Sequence, residues 1–180
     1  MTLANQVSIL RILLVPGIVA SLVYYHPTRD GLRFVTFGLF FVGIASDAID
    51  GFIARSQHQQ SKLGTLLDPI ADKFLILSTL ISLSVIHGLP AWMRIPAWFN
   101  LVVISRDVLL LAGTAVLFVV TGRWAVRPSR LGKWTTATQM VVIVTVLLGL
   151  PMREPLLVVV ALLTLASGFH YVRVGVRALE

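Results

Sequence analysis

The chain has 180 residues, of which 57% are hydrophobic and 13% are charged, and its mean hydropathy is +0.89. This composition excludes an ordinary soluble domain, in which about a quarter of the residues are charged, and the lack of cysteine excludes disulfides and thiolate metal sites. The formal charge of +7 favours anionic lipid headgroups over nucleic acid as partners, because the basic residues flank apolar runs.

Six apolar runs are long enough to cross a bilayer as helices, for which roughly 20 residues are needed. Polar breaks that contain Pro, Gly or charged residues separate them. The predicted spans are 7–25, 32–55, 66–86, 96–120, 135–150 and 156–175. The sequence therefore predicts an all-α integral membrane bundle of six helices, which forms one domain over residues 1–180.

The basic residues of the connections predict the orientation of the bundle. Ten Lys and Arg residues lie on the side of the amino terminus, and only Arg29, Arg33, Arg94 and Arg153 lie on the opposite side. Positive residues accumulate on the cytoplasmic side of short loops, so both termini are predicted to be cytoplasmic. The compact chain and the lack of a transit peptide favour a bacterial plasma membrane.

Four of the eight acidic residues stand where the second span ends and the third begins. Asp47 and Asp50 are three residues apart, and Asp68 and Asp72 are four apart, so each pair shares one face of its helix. The polar run 56–63 between the pairs has to turn at the membrane surface. The two helix ends, with their carboxylates, are therefore expected to face each other.

Four converging carboxylates repel one another in a low dielectric unless protons or cations neutralise them. Ligation by oxygen alone, with no Cys in the chain and no His at a ligand spacing, suits Mg²⁺ or Mn²⁺. Mg²⁺ commonly bridges protein carboxylates to substrate phosphates. The cluster therefore predicts a divalent-metal site with enough ligands for two ions.

Small residues lie beside this carboxylate face. Gly51 and Ala54 leave the helix backbone open to an extended ligand, and they equally suit helix packing in a membrane. Arg55 is placed to hold a phosphate oxygen, or to extend into the headgroup region as Arg at helix ends commonly does. These three positions by themselves leave both interpretations open.

Eight positions of this region have the spacing D-x2-D-G-x2-A-R-x8-G-x3-D-x3-D, formed by Asp47, Asp50, Gly51, Ala54, Arg55, Gly64, Asp68 and Asp72. The pattern matches the signature of the CDP-alcohol phosphatidyltransferase family without a departure. The chain length, the six predicted spans and the position of the motif on the second and third spans also resemble that family.

The resemblance implies transfer of a phosphatidyl group from a CDP-linked lipid to an alcohol, with release of CMP, in a polar cavity that faces the cytoplasm. It implies that Asp47, Asp50 and Asp68 bind the metal ions and that Asp72 is a further ligand or the general base. The implied CDP site consists of Asp47, Asp50, Gly51, Ala54, Arg55 and Gly64. A homodimer is a further expectation from the resemblance.

The start of the chain bears on the identity of the acceptor alcohol. Asn5, Ser8 and Arg11, followed by Pro16, resemble the opening of the glycerol-linked branches of the family, which are the phosphatidylglycerophosphate synthases and the cardiolipin synthases. Arg11 either meets an anionic group of the acceptor or anchors the span. Pro16 is expected to kink the helix.

Arg106 and Asp107 lie midway along the fourth predicted span, where charges are costly and face a bundle interior or a watery cavity. Arg106 either forms an internal salt bridge or receives a phosphate of the acceptor, and the two roles are compatible. The segment 104–108 resembles the cardiolipin synthases more than the phosphatidylglycerophosphate synthases, which more often have Glu after this Arg. No charge lies between Leu110 and Leu117, where those synthases add another Arg.

Basic residues also precede the fifth span. Arg130 and Lys133 are candidates for binding the acceptor phosphate, and Lys133 opens a polar stretch with Thr136 and Gln139. The pattern from Pro128 to Gln139 again resembles the cardiolipin synthases. The alternative for these residues is an ordinary solvated cytoplasmic loop.

The leading hypothesis is therefore transfer from CDP-diacylglycerol to phosphatidylglycerol, giving cardiolipin. Glycerol 3-phosphate is the alternative acceptor, and inositol phosphate or serine is less favoured. Two other classes also place acids in membranes. Intramembrane prenyltransferases use a different aspartate spacing, and cation transporters often have repeated halves, which this sequence lacks.

Overall fold

The computed structural model describes residues 3–57, 62–121 and 130–177, with side chains throughout except at 3–5, 29, 47–57, 62–69, 117–118, 121, 130 and 177. Six helices form: α1 (Leu3–Val23), α2 (Gly31–Gln57), α3 (Lys62–Val85), α4 (Ala97–Thr121), α5 (Arg130–Leu148) and α6 (Arg153–Arg177). Two 3₁₀ turns lie in connections, at Pro27–Arg29 and Ala91–Met93, and the described ranges contain no strand. The predicted all-α fold of six helices is confirmed.

Four apolar stretches in the described residues are long enough to cross a membrane: Gln6–Val23, Ala91–Val116, Leu131–Leu148 and Arg153–Val176. A shorter apolar stretch, Gly31–Ser46, belongs to α2. Large apolar side chains also cover the outer surfaces of these helices, and Leu111 of α4, for example, is 73% exposed. Such surfaces are a liability in water but match lipid tails, so these helices form part of a membrane protein.

The chain divides into two compact units, Met1–Arg94 with Val146–Gly149, and Ile95–Thr145 with Leu150–Glu180. In the first unit, α1 packs along both α2 and α3. In the second unit, α4 packs along α6. The single domain over residues 1–180 stays a prediction.

Small and hydroxylated residues bring the helices of the first unit close together. A Cβ atom added at Gly43 of α2 would lie 2.6 Å from Cδ2 of Leu75 on α3, so the glycine permits this approach. Ser21 of α1 and Thr36 of α2 share a hydrogen bond of 2.7 Å between their hydroxyl oxygens. Association of helices in lipid depends on such close packing and hydrogen bonds, because lipid tails are as apolar as the side chains.

The second unit shows the same features between α4 and α6. The Tyr171 hydroxyl donates to the carbonyl oxygen of Leu110 at 3.1 Å. Its ring covers Gly113, where an added Cβ would lie 3.0 Å from the ring. Tyr171 thus satisfies its polar group while it packs against the glycine surface of α4.

Tyr25, Asp30, Arg33, Trp92 and Gly149 form a cluster that we call the Arg33 clamp. It joins three connections of the first unit. Arg33 Nη2 donates to Asp30 Oδ2 at 2.8 Å, and Tyr25 donates to Asp30 Oδ1 at 3.1 Å. The guanidinium carbon of Arg33 lies 5.1 Å from the ring centroid of Trp92, within the range of a cation–π contact. Gly149 has a φ of +68°, and an added Cβ there would lie 2.9 Å from Arg33 Nη1. Burial, and then the contact with Asp30, raises the pKa of Tyr25 above its usual value.

Candidate active site

The motif aspartates lie on two helices that pack against each other within the first unit. Asp47 and Asp50 belong to the last three turns of α2, and Asp68 and Asp72 belong to the first three turns of α3. The contact between Gly43 and Leu75 sets the register of these helices. Asp50 follows Gly43 by seven residues, and Asp68 precedes Leu75 by seven.

This register bears directly on the predicted carboxylate cluster. Antiparallel helices have the same rise per residue, so equal counts from one contact end at the same level along the pair. Asp50 and Asp68 are therefore at one level, and Asp47 and Asp72 are both about one turn away from it on the side of the contact. The backbone positions fit the convergence that the sequence predicts.

Several predicted site residues have side chains outside the described part of the chain: Asn5, Asp47, Asp50, Gly51, Ala54, Arg55, Gly64, Asp68 and Arg130. For these residues the structure gives only a position on a helix, and their assigned roles stay predictions. The described residues contain no group of three His, Asp or Glu able to hold a metal. Three of the four motif aspartates, Asp47, Asp50 and Asp68, have side chains outside those residues.

Asp72 is the motif aspartate whose side chain is described. It is half-buried, within the packed unit of α1, α2 and α3. A partly buried carboxylate retains access to a ligand while its surroundings favour a nearby cation. With three further carboxylates predicted at its level and one turn away, the donor set is the oxygen-only kind that Mg²⁺ or Mn²⁺ takes. The residues fit a divalent-metal site.

Two residues of α1 extend this region. Ser8 is 0% exposed and Arg11 is 1% exposed, so a full positive charge is buried in the first unit. The hydrogen bond between Ser21 and Thr36 sets the register of α1 on α2. Arg11 precedes Ser21 by ten residues and Ser46 follows Thr36 by ten, which places Arg11 at the level of Ser46, next to Asp47. Arg11 is therefore a buried residue of its span, and its contact with the acceptor stays a prediction.

Arg106 of α4 is 6% exposed and forms an internal salt bridge in the second unit. Its Nη1 lies 2.7 Å from Oδ1 of Asp107, and its Nη2 donates to Ser167 Oγ of α6 at 2.8 Å. The salt bridge that the sequence suggested is present. Contact with an acceptor phosphate, the second suggested role, stays a prediction.

A groove of about 190 Å³ lies beside Arg106, between α4 and α6. Two of its hydroxyls donate back to their own helices, from Ser105 to the Leu101 carbonyl and from Thr164 to the Val160 carbonyl. The rest of the wall is mainly apolar side chains such as Leu109 and Phe169. The groove therefore presents hydrocarbon to its surroundings.

The start of α5 holds the remaining acceptor candidates. The Lys133 side chain is exposed, as a phosphate-binding or loop lysine requires. Thr136, one turn on, donates its hydroxyl to the Gly132 carbonyl at 3.2 Å. Gln139, for which the sequence pattern predicted no separate role, is 0% exposed, and neither polar atom of its side chain has a hydrogen-bond partner within the described residues. Gln139 ends the polar stretch that Lys133 opens, and the sequence of that stretch does not distinguish its buried residues from its exposed ones.

Comparison with known proteins adds independent evidence. A family model described as CDP-alcohol phosphatidyltransferase matches residues 1–170. A Cereibacter sphaeroides protein named "CDP-diacylglycerol--glycerol-3-phosphate 3-phosphatidyltransferase" is 32% identical over 82% of this chain and 64% of its own length. A Mycobacterium tuberculosis protein named "Probable phosphatidylglycerophosphate synthase" is 33% identical over 97% of this chain and 82% of its own.

A second Mycobacterium tuberculosis protein, named "Putative cardiolipin synthase", is 36% identical over 83% of this chain and 66% of its own length. The aligned part of the chain thus spans about two thirds of two of these relatives. Their names divide between two acceptor alcohols, and the identities are too similar to separate the two.

Proposed function

The chain belongs to the CDP-alcohol phosphatidyltransferase family, and from that premise we propose that it transfers a phosphatidyl group from CDP-diacylglycerol to phosphatidylglycerol, giving cardiolipin and CMP. Phospholipid biosynthesis is common to all the relatives named above. The observation that carries the proposal is the complete eight-position motif, placed on two packed helices whose register aligns its aspartates.

Family members generally depend on a divalent metal. We assign Asp47, Asp50, Asp68 and Asp72 as ligands of two Mg²⁺ or Mn²⁺ ions. When bound, the ions neutralise the diphosphate and the charge that develops at phosphorus. Asp72 has a second role as general base, and its half-buried position suits a carboxylate that meets both a cation and a hydroxyl group.

The reaction is an in-line displacement in one step. The acceptor hydroxyl oxygen forms a bond to the lipid-side phosphorus, and the bond from that phosphorus to the CMP oxygen breaks. CMP leaves with the electron pair, and the hydroxyl proton passes to Asp72. The CDP moiety lies along α2 against Gly51 and Ala54, with a phosphate oxygen on Arg55 and with Gly64, in the first turn of α3, completing the site.

Basic and polar residues from three helices bind the acceptor: Asn5, Ser8, Arg11, Arg106, Arg130 and Lys133. The burial of Arg11 beside the level of Asp47 supports its role, since a buried guanidinium binds phosphate oxygens in a fixed fork. Arg106 can donate to a phosphate while it keeps the Asp107 salt bridge, because a guanidinium carries five N–H donors.

Phosphatidylglycerol is the proposed acceptor because residues 104–108 and the uncharged stretch from Leu110 to Leu117 resemble the cardiolipin synthases. Glycerol 3-phosphate is the alternative, and the names of the Cereibacter protein and of one mycobacterial relative support it. None of the three relatives described above is named for inositol phosphate or serine. We further propose a bacterial plasma membrane location, cytoplasmic termini and active site, one domain and a homodimer.

Mass spectrometry of lipid products tests the proposal. Purified protein receives CDP-diacylglycerol, Mg²⁺ and an equimolar mixture of phosphatidylglycerol, glycerol 3-phosphate, inositol phosphate and serine. We expect cardiolipin and CMP, and loss of both in Asp72→Asn with CDP-diacylglycerol binding retained. Phosphatidylglycerophosphate as the main product would move the assignment to the alternative acceptor. Wild-type turnover by Asp72→Asn would refute the base role.

A further inference from the structure

Gln139 combines complete burial with an unsatisfied amide. Its side chain is 0% exposed, and both Oε1 and Nε2 lack a hydrogen-bond partner among the described residues. Buried amides are nearly always hydrogen-bonded, because removal from water without a partner is costly. A group in this condition needs an explanation, and a ligand that completes its hydrogen bonds is one.

The neighbours of Gln139 on α5 do not supply these bonds. Thr135, one turn earlier and 1% exposed, donates its hydroxyl to the Leu131 carbonyl at 2.8 Å. The next residues on the buried face, Val142 and Ile143, are hydrocarbon and at most 1% exposed. Gln139 is therefore the last polar residue on this face before α5 becomes apolar until Thr145.

Helix geometry gives the depth of this boundary. Gln139 is nine residues from Arg130, about 14 Å along α5, and six residues from Lys133, about 9 Å along the same helix. It therefore lies less than two turns beyond the lysine that we propose as a ligand of the acceptor phosphate. A polar ligand that follows the polar part of α5 reaches its limit at Gln139.

We propose that Gln139 binds the acceptor alcohol through a hydroxyl group next to the one that reacts, so that the acceptor is a vicinal diol. The side-chain oxygen accepts from this second hydroxyl, and the side-chain NH₂ donates to it, which a hydroxyl satisfies because it both donates and accepts. This assignment rests on the proposed function. It holds for phosphatidylglycerol and for glycerol 3-phosphate, since both end in a primary hydroxyl beside a secondary one.

In this role Gln139 positions the acceptor for the displacement described above. Its bonds to the secondary hydroxyl leave the primary hydroxyl oxygen available to attack phosphorus. A site that hydrogen-bonds a substrate hydroxyl discriminates strongly against the analogue without it, because the buried polar group is then left unpaired. Selectivity for the diol is therefore the property to measure.

The experiment uses the purified full-length protein with CDP-diacylglycerol and Mg²⁺, and with two matched pairs of acceptors. Phosphatidylglycerol is compared with phosphatidyl-1,3-propanediol, and glycerol 3-phosphate with 3-hydroxypropyl phosphate, so that each analogue lacks only the secondary hydroxyl. For the pair that reacts, we expect the wild-type kcat/KM for the diol to exceed that for the analogue by about tenfold or more.

Gln139→Met keeps the side-chain length without hydrogen-bonding groups, and Ile143→Val on the next turn is the matched packing control. We expect Gln139→Met to reduce the diol preference, the ratio of kcat/KM for the diol to kcat/KM for its analogue, to near one. The KM for CDP-diacylglycerol should be unchanged, and the thermal midpoint should be unchanged or higher. Gln139→Glu, which keeps the acceptor oxygen but not the donor, should retain part of the preference. Ile143→Val should keep all of it.

The outcomes separate this assignment from the proposed function. CMP release by the wild type with no diol preference, or a preference that Gln139→Met retains, overturns the role of Gln139 alone. That second result is also the one expected if Gln139 only holds a buried water. No CMP release with any of the four acceptors overturns the proposed function, and with it the role of Gln139.

Discussion

Removal of the Asp107 carboxylate tests whether the buried ion pair of α4 stabilises the second unit. Both partners are only 6% exposed, and Arg106 holds Asp107 at 2.7 Å. In Asp107→Asn, the guanidinium keeps its charge in a low dielectric, and its partners among the described side chains become Ser167 and a neutral amide. Loss of one partner of a buried pair costs about 3–5 kcal/mol. At about 2–4 °C per kcal/mol for a chain of this size, the thermal midpoint in detergent should fall by roughly 10 °C.

The second unit contains a matched control for this change. Arg153 and Glu154 are also adjacent in sequence and form an ion pair, but their side chains are 20% and 65% exposed. Exposed pairs contribute about 0–1 kcal/mol, so Glu154→Gln should change the midpoint by no more than about 3 °C. Equal shifts in the two variants would refute the argument that burial makes the pair at Arg106 important.

A double variant separates the structural role of Arg106 from acceptor binding. Replacement of a buried pair by apolar residues of similar size is often neutral or stabilising. Arg106→Met with Asp107→Leu should therefore fold with a midpoint near that of the wild type. If Arg106 also binds the acceptor, this folded variant should lose at least tenfold in kcat/KM for the acceptor and retain donor binding. Full activity would leave Arg106 with a structural role only.

Three further predictions follow from other parts of the molecule. Gly149→Ala should destabilise the protein by about 2 kcal/mol, because an L residue is strained at this positive φ and its Cβ displaces Arg33. Gly88→Ala is the control, since no atom lies within 4 Å of the added Cβ, and it should change stability little. The thermal midpoints of the two variants check both expectations. The raised pKa of Tyr25 stabilises the folded state fully below about pH 10, and this stabilisation is lost as the pH rises through the higher pKa of the folded state. Above pH 10, the free energy of unfolding should therefore fall less with pH in Tyr25→Phe than in the wild type. Denaturation curves at a series of pH values check this, and an equal fall in the two proteins would contradict it. Chelation by EDTA should abolish CMP release reversibly, with recovery on addition of Mg²⁺, and persistent turnover in EDTA would exclude a metal-dependent step.

Hydropathy predicted the number and order of the helices but placed several ends too far inside. The fifth span was predicted from residue 135, whereas α5 begins at Arg130, and the third from residue 66, whereas α3 begins at Lys62. Hydropathy detects the part of a helix that lies in hydrocarbon, while the backbone hydrogen bonds continue into the polar region beyond it. Apolar runs therefore predict the number of helices better than they predict where each helix begins and ends.

The candidate site was predictable where the information is local. Spacing within one helix identifies Asp47 with Asp50 and Asp68 with Asp72, because residues three or four apart share a face. Contacts between helices cannot be predicted from such local spacing. Ser167 reaches Arg106 from 61 residues away, and no pattern near either residue predicts that bond.

The Arg33 clamp has a consequence for the synthesis of the chain. Its last member, Gly149, is 116 residues beyond Arg33, counted as 149 minus 33, and Trp92 lies between them. At the usual 5–20 residues per second, roughly 6 to 23 seconds pass between the emergence of Arg33 and that of Gly149. During this interval Arg33 can already pair with Asp30, but the clamp stays incomplete. The first three helices are therefore synthesised before the clamp can close at the end of the unit that contains Arg33, and a ribosome stalled ahead of residue 149 would leave that end open.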